Sequence, residues 1–157
     1  MIQGLIGAEI DYVVIGGVAA TLLGSARITN DLDVCYNPSA DNRVRLATVL
    51  ASWHAYLRGV ETGLPFTMDA RMLRDTPVMT LISDEGWIDV MDRVAGIGEY
   101  DKVLANSIPA EWNDLHFQII SLDALIAAKR AAGRRRDYEA LLELEALREE
   151  RRRRGMS

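Results

Sequence analysis

The sequence predicts an α+β fold in which a small mixed sheet is flanked by helices, with further helices at the C-terminus. Short apolar runs typical of buried strands are interspersed with segments of helical periodicity, and their order shows no regular βαβ alternation. A glycine pair follows the first apolar run, and two carboxylates at i and i+2 lie in the second. The first two predicted strands therefore carry the most informative residues of the chain.

In the first half of the chain, apolar spacing predicts the elements and the residues that end each run set their limits. Gly24 ends one helix, because glycine readily adopts the left-handed conformation of a helix C-cap. Asn37-Pro38-Ser39 breaks the second strand. The predicted elements are a helix at 2–9, strands at 12–15 and 32–36, and helices at 18–23 and 41–53.

In the second half, residues 83–86 are typical of a hairpin turn between two apolar runs. Ser121 is a predicted N-cap, and Gly133 ends the helix that follows. Residues 57–68 show no clear pattern, and residues 96–100 predict a loop. The predicted elements are a short helix at 68–74, strands at 78–82, 87–91 and 115–120, and helices at 121–132 and 137–148.

Composition and charge indicate a folded domain rather than a membrane protein or a general nucleic-acid binder. The chain has 157 residues, 49% hydrophobic and 26% charged, with a net charge of -5. No apolar run is long enough to span a membrane. We expect one domain over residues 1–150 and a disordered, arginine-rich tail over residues 151–157, with RNA phosphate contact as the alternative for the tail. A single cysteine, Cys35, and no recognisable secretory signal indicate a cytoplasmic protein.

Two carboxylates in the second predicted strand are the first candidates for chemistry. Asp31 and Asp33 would project from the same face of the strand, while Leu32 and Val34 point into the core. Adjacent like charges are costly unless a positive group neutralises them, and a hard divalent cation held by oxygen ligands can do so. Asp89 stands alone among apolar neighbours in the later hairpin and can approach this pair if the strands are neighbours. An exposed acid on an edge strand is the alternative for Asp89.

Three converging carboxylates predict a two-metal site for phosphoryl or nucleotidyl transfer, in which the metals clamp the attacking and leaving oxygens. Gly16-Gly17 suits this chemistry, because glycine lets backbone amides approach a phosphate and the following helix offers its N-terminus. Ser25, Arg27 and Thr29 lie on the approach to the aspartates and are candidate ligands of triphosphate oxygens. An internal salt bridge to one of the aspartates is the alternative for Arg27.

Several blocks along the chain form a combined pattern. They are Gly16-Gly17, Gly24-Ser25-x-Arg27-x-Thr29-x-Asp31-x-Asp33, Gly86-x-Ile88-Asp89-Val90, Gly96-x-Gly98-x-Tyr100, Ser121-Leu122-x-x-Leu125-Ile126-x-x-Lys129 and Arg134-x-x-Asp137. This pattern resembles the minimal nucleotidyltransferases of the polymerase-beta superfamily. It is similar to small bacterial members related to the nucleotidyltransferase toxins of abortive-infection and toxin–antitoxin systems. The resemblance extends over nearly the whole chain and implies a nucleotidyltransferase-like sheet.

The resemblance also implies an activity and a cofactor. The protein would move a nucleoside monophosphate from a nucleoside triphosphate, such as ATP, to a hydroxyl and release pyrophosphate. Mg²⁺ or Mn²⁺ would be bound by Asp31, Asp33 and Asp89, and Asp89 would act as the general base or position it. Gly16, Gly17 and Ser25 would contact the phosphates of the nucleotide.

The last motif of the resemblance adds two site residues and one departure. Lys129 and Asp137 match positions where the toxin relatives carry further active-site residues, and Lys129 would also contact the nucleotide. Relatives often have a second acid three residues after Asp137, where this chain has Ala140. The implied partners are a nucleoside triphosphate, a tRNA or protein acceptor and a cognate antitoxin, with no membrane partner and the oligomeric state open. The alternative is a weak or inactive relative that binds a nucleotide or a partner protein.

Overall fold

A computed structural model describes residues 1–156 and contains seven α-helices, one short 3-10 helix and nine strands in that range. The strands are β1 Tyr12–Ile15, β2 Asp31–Tyr36, β3 Tyr56–Leu57, β4 Val78–Ser83, β5 Gly86–Met91, β6 Arg93–Val94, β7 Gly98–Glu99, β8 Ser107–Trp112 and β9 Leu115–Ile120. The helices are α1 Ile2–Gly7, α2 Gly16–Leu23, α3 Ala40–Ser52, α4 Ala70–Asp75, α5 Tyr100–Ala105, α6 Leu122–Ala132 and α7 Tyr138–Arg153, with the 3-10 helix at Arg135–Asp137.

One mixed sheet organises the molecule, with strand order β3-β4-β5-β2-β1-β9-β8, while β6 and β7 form a separate hairpin. The pairs β2–β5 and β1–β9 are parallel, and the other neighbours in the sheet are antiparallel. The predicted α+β class with a mixed sheet flanked by helices is confirmed, although the sheet is larger than expected. Strand β2 lies at the centre of the sheet between β1 and β5.

Local contacts fix where several helices begin and end. Ser39, Asp69 and Ser121 each accept a hydrogen bond from the backbone N–H three residues ahead, as N-cap residues do. Gly24 and Gly133 follow α2 and α6 with φ angles of 117° and 60°, in the left-handed region. The predicted ends of these two helices are therefore confirmed.

The two faces of β2 and β5 differ in burial. On one face the aliphatic side chains are at most 4% exposed; they are Leu32, Val34, Ile88 and Val90. On this buried side the Tyr36 hydroxyl donates a hydrogen bond to the Leu73 carbonyl at 3.2 Å, which ties β2 to α4. On the opposite face Asp31, Asp33 and Asp89 are half-buried, while Trp87 is exposed and Cys35 is buried. The apolar face thus anchors the central strands and gives polar side chains on the other face fixed positions.

Some segments differ from the sequence prediction. Residues 57–68 include the end of the edge strand β3, and the Arg58 amide continues its ladder by donating to the Thr80 carbonyl at 3.0 Å. Residues 96–100 contain β7 and the start of α5 rather than only a loop. Strand β8 was not predicted, because it is mostly exposed and contains Pro109, so it shows no buried apolar run.

The C-terminal arginines also differ from the expectation of a disordered tail over residues 151–157. Helix α7 continues through Arg153, which lies 3.9 Å from Glu149 one turn earlier. Such pairs support a helix where apolar spacing gives no signal. Ser157 lies outside the described residues. Helix α7 has 16 residues. In the part of the chain that the structure describes, no helix is long and apolar enough to cross a membrane.

Candidate active site

The register of β2 and β5 brings the three predicted carboxylates together. In this parallel pair Asp33 lies opposite Asp89, and Asp31 lies opposite Trp87. Residues at i and i+2 of a strand share a face of the sheet, and in-register neighbours on the next strand share it as well. Asp31, Asp33 and Asp89 therefore project from one half-buried face at the centre of the sheet.

The crowding of like charges changes the protonation of Asp33. The pKa of Asp33 is raised from 3.8 to about 7, first by burial and then by the charge of Asp89, a hydrogen bond to Asp89 and the charge of Asp31, against the lowering effect of a hydrogen bond from the Gly17 amide. Two carboxyl groups can share a hydrogen bond only if one of them carries a proton. Near neutral pH the three carboxylates are therefore stable side by side only when a proton or another cation neutralises part of their charge.

Gly16 and Gly17 allow α2 to begin directly against the carboxylates. Gly16 has a φ of 63°, and a Cβ there would lie 2.0 Å from Asp33 Oδ2. A Cβ at Gly17 would lie 2.7 Å from Thr29 Oγ1, and this hydroxyl donates to the Asp31 carbonyl at 3.3 Å. Close packing therefore requires glycine at both positions. It also places the first amides of α2 beside the aspartates, where a helix N-terminus favours a phosphate.

Arg58 belongs to this site, and the sequence analysis missed it. Its Nη1 donates to Asp31 Oδ2 at 3.0 Å, and its Nη2 donates to Asp89 Oδ1. The same guanidinium lies over the Trp87 ring, 4.8 Å from the ring centroid, in a cation–π arrangement. Residues 57–68 carry no motif. The one available signal was indirect, because three carboxylates on one face need a cation and an internal arginine can supply it.

The loop between α2 and β2 is held by helix α7. Ser25 is buried, and its hydroxyl donates to Glu143 Oε1 at 3.0 Å. The Ala26 amide donates to the same oxygen at 3.0 Å. Arg27 lies 3.7 Å from Glu139 and 3.9 Å from Glu143. The internal salt bridge considered for Arg27 is therefore present, but its partners are glutamates of α7 rather than the aspartates.

Lys129 and Asp137 pair with each other, with Nζ 3.4 Å from Oδ1 and side chains 18% and 20% exposed. Both line a cavity of about 950 Å³, which we call the basic cavity. Its wall also includes four arginines and a tyrosine, namely Arg130, Arg134, Arg135, Arg136 and Tyr138. Glu139 lines the same cavity and pairs with Arg27, so the basic cavity adjoins the α2–β2 loop. None of the three clustered aspartates lines this cavity.

The three carboxylates fit a hard divalent cation in their chemistry, since such ions prefer carboxylate oxygens. Arg58 supports this fit, because its guanidinium already acts as a cation for Asp31 and Asp89. With the side chains as they stand, no group of three His, Cys, Asp or Glu within residues 1–156 is arranged to hold a metal ion. A metal here would have to take over oxygens that Arg58 now holds.

Comparisons with known proteins support the fold. No protein-family model and no curated protein sequence matches the chain. Several solved structures do match, and three of them show the following likeness to this chain. A candidate nucleotidyltransferase from Thermotoga maritima, TM1012, is 16% identical with a TM-score of 0.55, covering 89% of this chain and 84% of that one. The lincosamide antibiotic adenylyltransferase LnuA, solved with lincomycin, is 14% identical with a TM-score of 0.60, covering 92% of each chain.

Another match is an antigenic nucleotidyltransferase-like protein from Paracoccidioides brasiliensis. It is 19% identical with a TM-score of 0.52, covering 93% of this chain and 71% of that one. At such identities a structural likeness defines the fold, whereas an activity has to be argued from the site. The chain therefore has the nucleotidyltransferase fold.

Proposed function

We propose that this protein is a metal-dependent nucleotidyltransferase, which moves a nucleoside monophosphate from a nucleoside triphosphate to a hydroxyl and releases pyrophosphate. The observation that carries the proposal is the β2–β5 register, which sets Asp33 opposite Asp89 with Asp31 on the same face. The fold shared with nucleotidyltransferases supports the reaction class. The start of α2 beside the carboxylates supports phosphate binding.

Each residue of the cluster has a part in this proposal. Asp31, Asp33 and Asp89 would hold Mg²⁺ or Mn²⁺, which when bound stabilises charge on the transferred phosphate and on the attacking and leaving oxygens. Gly16 and Gly17 would bring backbone amides to the phosphate oxygens. Asp89 would accept the proton of the acceptor hydroxyl, or position the group that does, as the resemblance implies.

For the acceptor we propose a tRNA 3′ end or a protein hydroxyl, as the resemblance to nucleotidyltransferase toxins implies, together with a cognate antitoxin as partner. The basic cavity supports an anionic acceptor, because Arg134, Arg135 and Arg136 line it and are exposed. LnuA is described as an adenylyltransferase of lincosamide antibiotics, which supports a small-molecule acceptor as the competing candidate. A cytoplasmic location remains a prediction from the sequence.

A second candidate function is nucleotide or partner binding without turnover. It is favoured by the Arg58 guanidinium on Asp31 and Asp89, which satisfies these carboxylates without a metal. It is also favoured by Ala140, where relatives often carry an acid. The retention of all three aspartates on one face favours the enzyme instead, because a structural role does not call for three adjacent like charges.

The test is an assay with α-labelled nucleoside triphosphates and Mg²⁺, with total tRNA present or absent. Wild type is compared with Asp31→Asn and with the matched control Asp84→Asn, whose acid lies in the exposed turn between β4 and β5. We expect label transfer by wild type and Asp84→Asn, and a loss of about a thousandfold in Asp31→Asn, typical of removing a group that stabilises the transition state. Equal transfer by Asp31→Asn would exclude the mechanism. Nucleotide binding without transfer to any supplied acceptor would favour the binding protein.

A further inference from the structure

The backbone of Arg58 is fixed in the sheet, and only its side chain extends to the carboxylates. Its amide donates to the Thr80 carbonyl at 3.0 Å, so the backbone is part of the sheet edge. From there the guanidinium reaches Asp31 and Asp89 and rests on the Trp87 ring. The planar guanidinium pairs with Asp31 on β2 and Asp89 on β5, and so fixes the position of one carboxylate relative to the other. Movement of Arg58 would therefore require only rotation of its side chain.

The ion pairs of Arg58 with Asp31 and Asp89 are also accessible to a competing cation. The side chains of Arg58, Asp31 and Asp89 are 24%, 30% and 20% exposed, so water and ions can reach them. The Arg58 Nε is buried and has no hydrogen-bond partner among the described residues, which reduces the stabilisation that the guanidinium gains there. Half-exposed ion pairs contribute modestly, and such a pair can yield to a competing cation.

We propose that Arg58 is an internal counter-ion that occupies the metal-binding carboxylates and that a divalent cation displaces it from Asp31 and Asp89. This inference rests on the proposed function in one respect, because it takes the three aspartates as the metal ligands. Arg58 keeps the like charges together while no metal is bound, and it lowers the affinity of the site for metal. It is thus a positioning residue that sets the metal concentration at which the site fills.

The first test is Mn²⁺ binding to the full-length protein, without nucleotide, by electron paramagnetic resonance of free Mn²⁺. Wild type is compared with Arg58→Gln and with Arg71→Ala, whose exposed arginine pairs with Asp75 on α4. Because two half-exposed ion pairs are lost, we expect Arg58→Gln to bind Mn²⁺ about tenfold more tightly and Arg71→Ala to match wild type. Asp33→Asn combined with Arg58→Gln should abolish the tight binding, which assigns it to this site. Equal or weaker binding by Arg58→Gln, or no binding by either protein, would overturn the inference.

A second measurement separates displacement from a simple change of charge. Trp87 emission is recorded while Mg²⁺, which does not quench fluorescence, is added to wild type, Arg58→Gln and Arg58→Lys. The guanidinium leaves the Trp87 ring in wild type, so its emission should change, and Trp87→Phe should lose that change. Arg58→Gln should give no change, and Arg58→Lys should bind metal with an affinity between those of Gln and wild type. Identical emission changes in wild type and Arg58→Gln would refute displacement.

These measurements are distinguishable from the transfer assay. Tighter Mn²⁺ binding by Arg58→Gln, with no label transfer by wild type, would support the counter-ion while the enzyme proposal fails. Label transfer by wild type, with unchanged Mn²⁺ affinity in Arg58→Gln, would support the enzyme while the counter-ion proposal fails. Circular dichroism and thermal unfolding of each variant verify that it folds, and Arg58→Lys retains the charge if Arg58→Gln proves unstable.

Discussion

The carboxylate cluster and the basic cavity are built in opposite ways. The cluster of Asp31, Asp33 and Asp89 lies on two paired central strands, and its charges have one sign until Arg58 is counted. The basic cavity lies where α6, the 3-10 helix and α7 meet, and its charges are mixed and largely exposed. Strand pairing gives the cluster a fixed geometry at an electrostatic cost. The cavity has little such cost, since water screens its charges.

The largest effect is expected where the backbone approaches the cluster most closely, at Gly16. Gly16→Ala would put a Cβ 2.0 Å from Asp33 Oδ2 on a backbone with φ of 63°. The clash and the left-handed strain should together lower the free energy of unfolding by about 2–4 kcal/mol. Urea denaturation measures this loss. Gly7→Ala is the control, because a Cβ there meets nothing within 4 Å and alanine suits helix α1, so the midpoint should stay equal or rise slightly. Equal midpoints for the two variants would contradict the close packing.

The next effect concerns pH, because the raised pKa of Asp33 makes stability depend on protonation. Its pKa is about 7 in the folded protein against 3.8 ordinarily, so the folded state binds the proton more tightly. The contribution of Asp33 to the free energy of unfolding is fully present below pH about 4. It falls as the pH rises to about 7, by at most about 1.4 kcal/mol per pH unit. Above pH 7 the loss is constant.

Thermal unfolding of the metal-free protein, with a chelator present, between pH 4 and pH 9 tests this dependence. Wild type should become less stable as pH rises across that window, and Asp33→Asn should show a flatter profile and greater stability at pH 8. Asp114→Asn, in the exposed turn between β8 and β9, is the matched control and should follow wild type. A wild-type profile that rises through the same window would show that the crowded carboxylates do not dominate the titration.

A smaller effect is expected at the contact between the α2–β2 loop and α7. Glu143 accepts hydrogen bonds from Ser25 and from the Ala26 amide, both at 3.0 Å. Glu143→Ala should lower the free energy of unfolding by about 1–2 kcal/mol, because the buried Ser25 hydroxyl loses its partner. Glu139→Ala on the same helix removes one exposed ion pair to Arg27 and should cost less than about 0.5 kcal/mol. Equal losses would indicate that the loop does not depend on Glu143.

The carboxylate cluster was predictable from the sequence because it depends on local patterns within two strands. Asp31, Asp33 and Asp89 alternate with buried aliphatic residues, and this local pattern specifies the face on which each carboxylate lies. Their juxtaposition followed from one assumption, that the two strands are neighbours, and the structure pairs those strands. Local signals also predicted the glycine helix ends and the β4–β5 hairpin.

What the sequence could not predict depends on contacts between distant segments. Arg58 lies 27 residues from Asp31 and 31 from Asp89 in a segment without periodicity. Ser25 and Glu143 are 118 residues apart, so no spacing rule joins them. For both of these contacts tertiary packing, rather than local propensity, determines the pairing. Strand β8 is a different case, because it pairs with the adjacent β9 through the backbone and its mostly exposed residues form no apolar run.

The smallest effect on stability is expected in the basic cavity. Replacing Arg134, Arg135 and Arg136 together by Ala should change the free energy of unfolding by less than about 0.5 kcal/mol, because all three are exposed. If the cavity binds an RNA acceptor, the slope of log affinity for tRNA against log salt should fall by about 2, since each phosphate contact contributes about 0.7.

Filter binding at several salt concentrations measures this slope. The control is the triple variant Arg152→Ala, Arg153→Ala and Arg154→Ala, which removes equal charge from the end of α7. An equal fall in both variants would show that net charge alone attracts tRNA. An unchanged slope in the cavity variant would exclude RNA binding at the basic cavity and would favour a small-molecule or protein acceptor. A fall confined to the cavity variant would place the acceptor next to the α2–β2 loop, because Glu139 joins that loop to the cavity through Arg27.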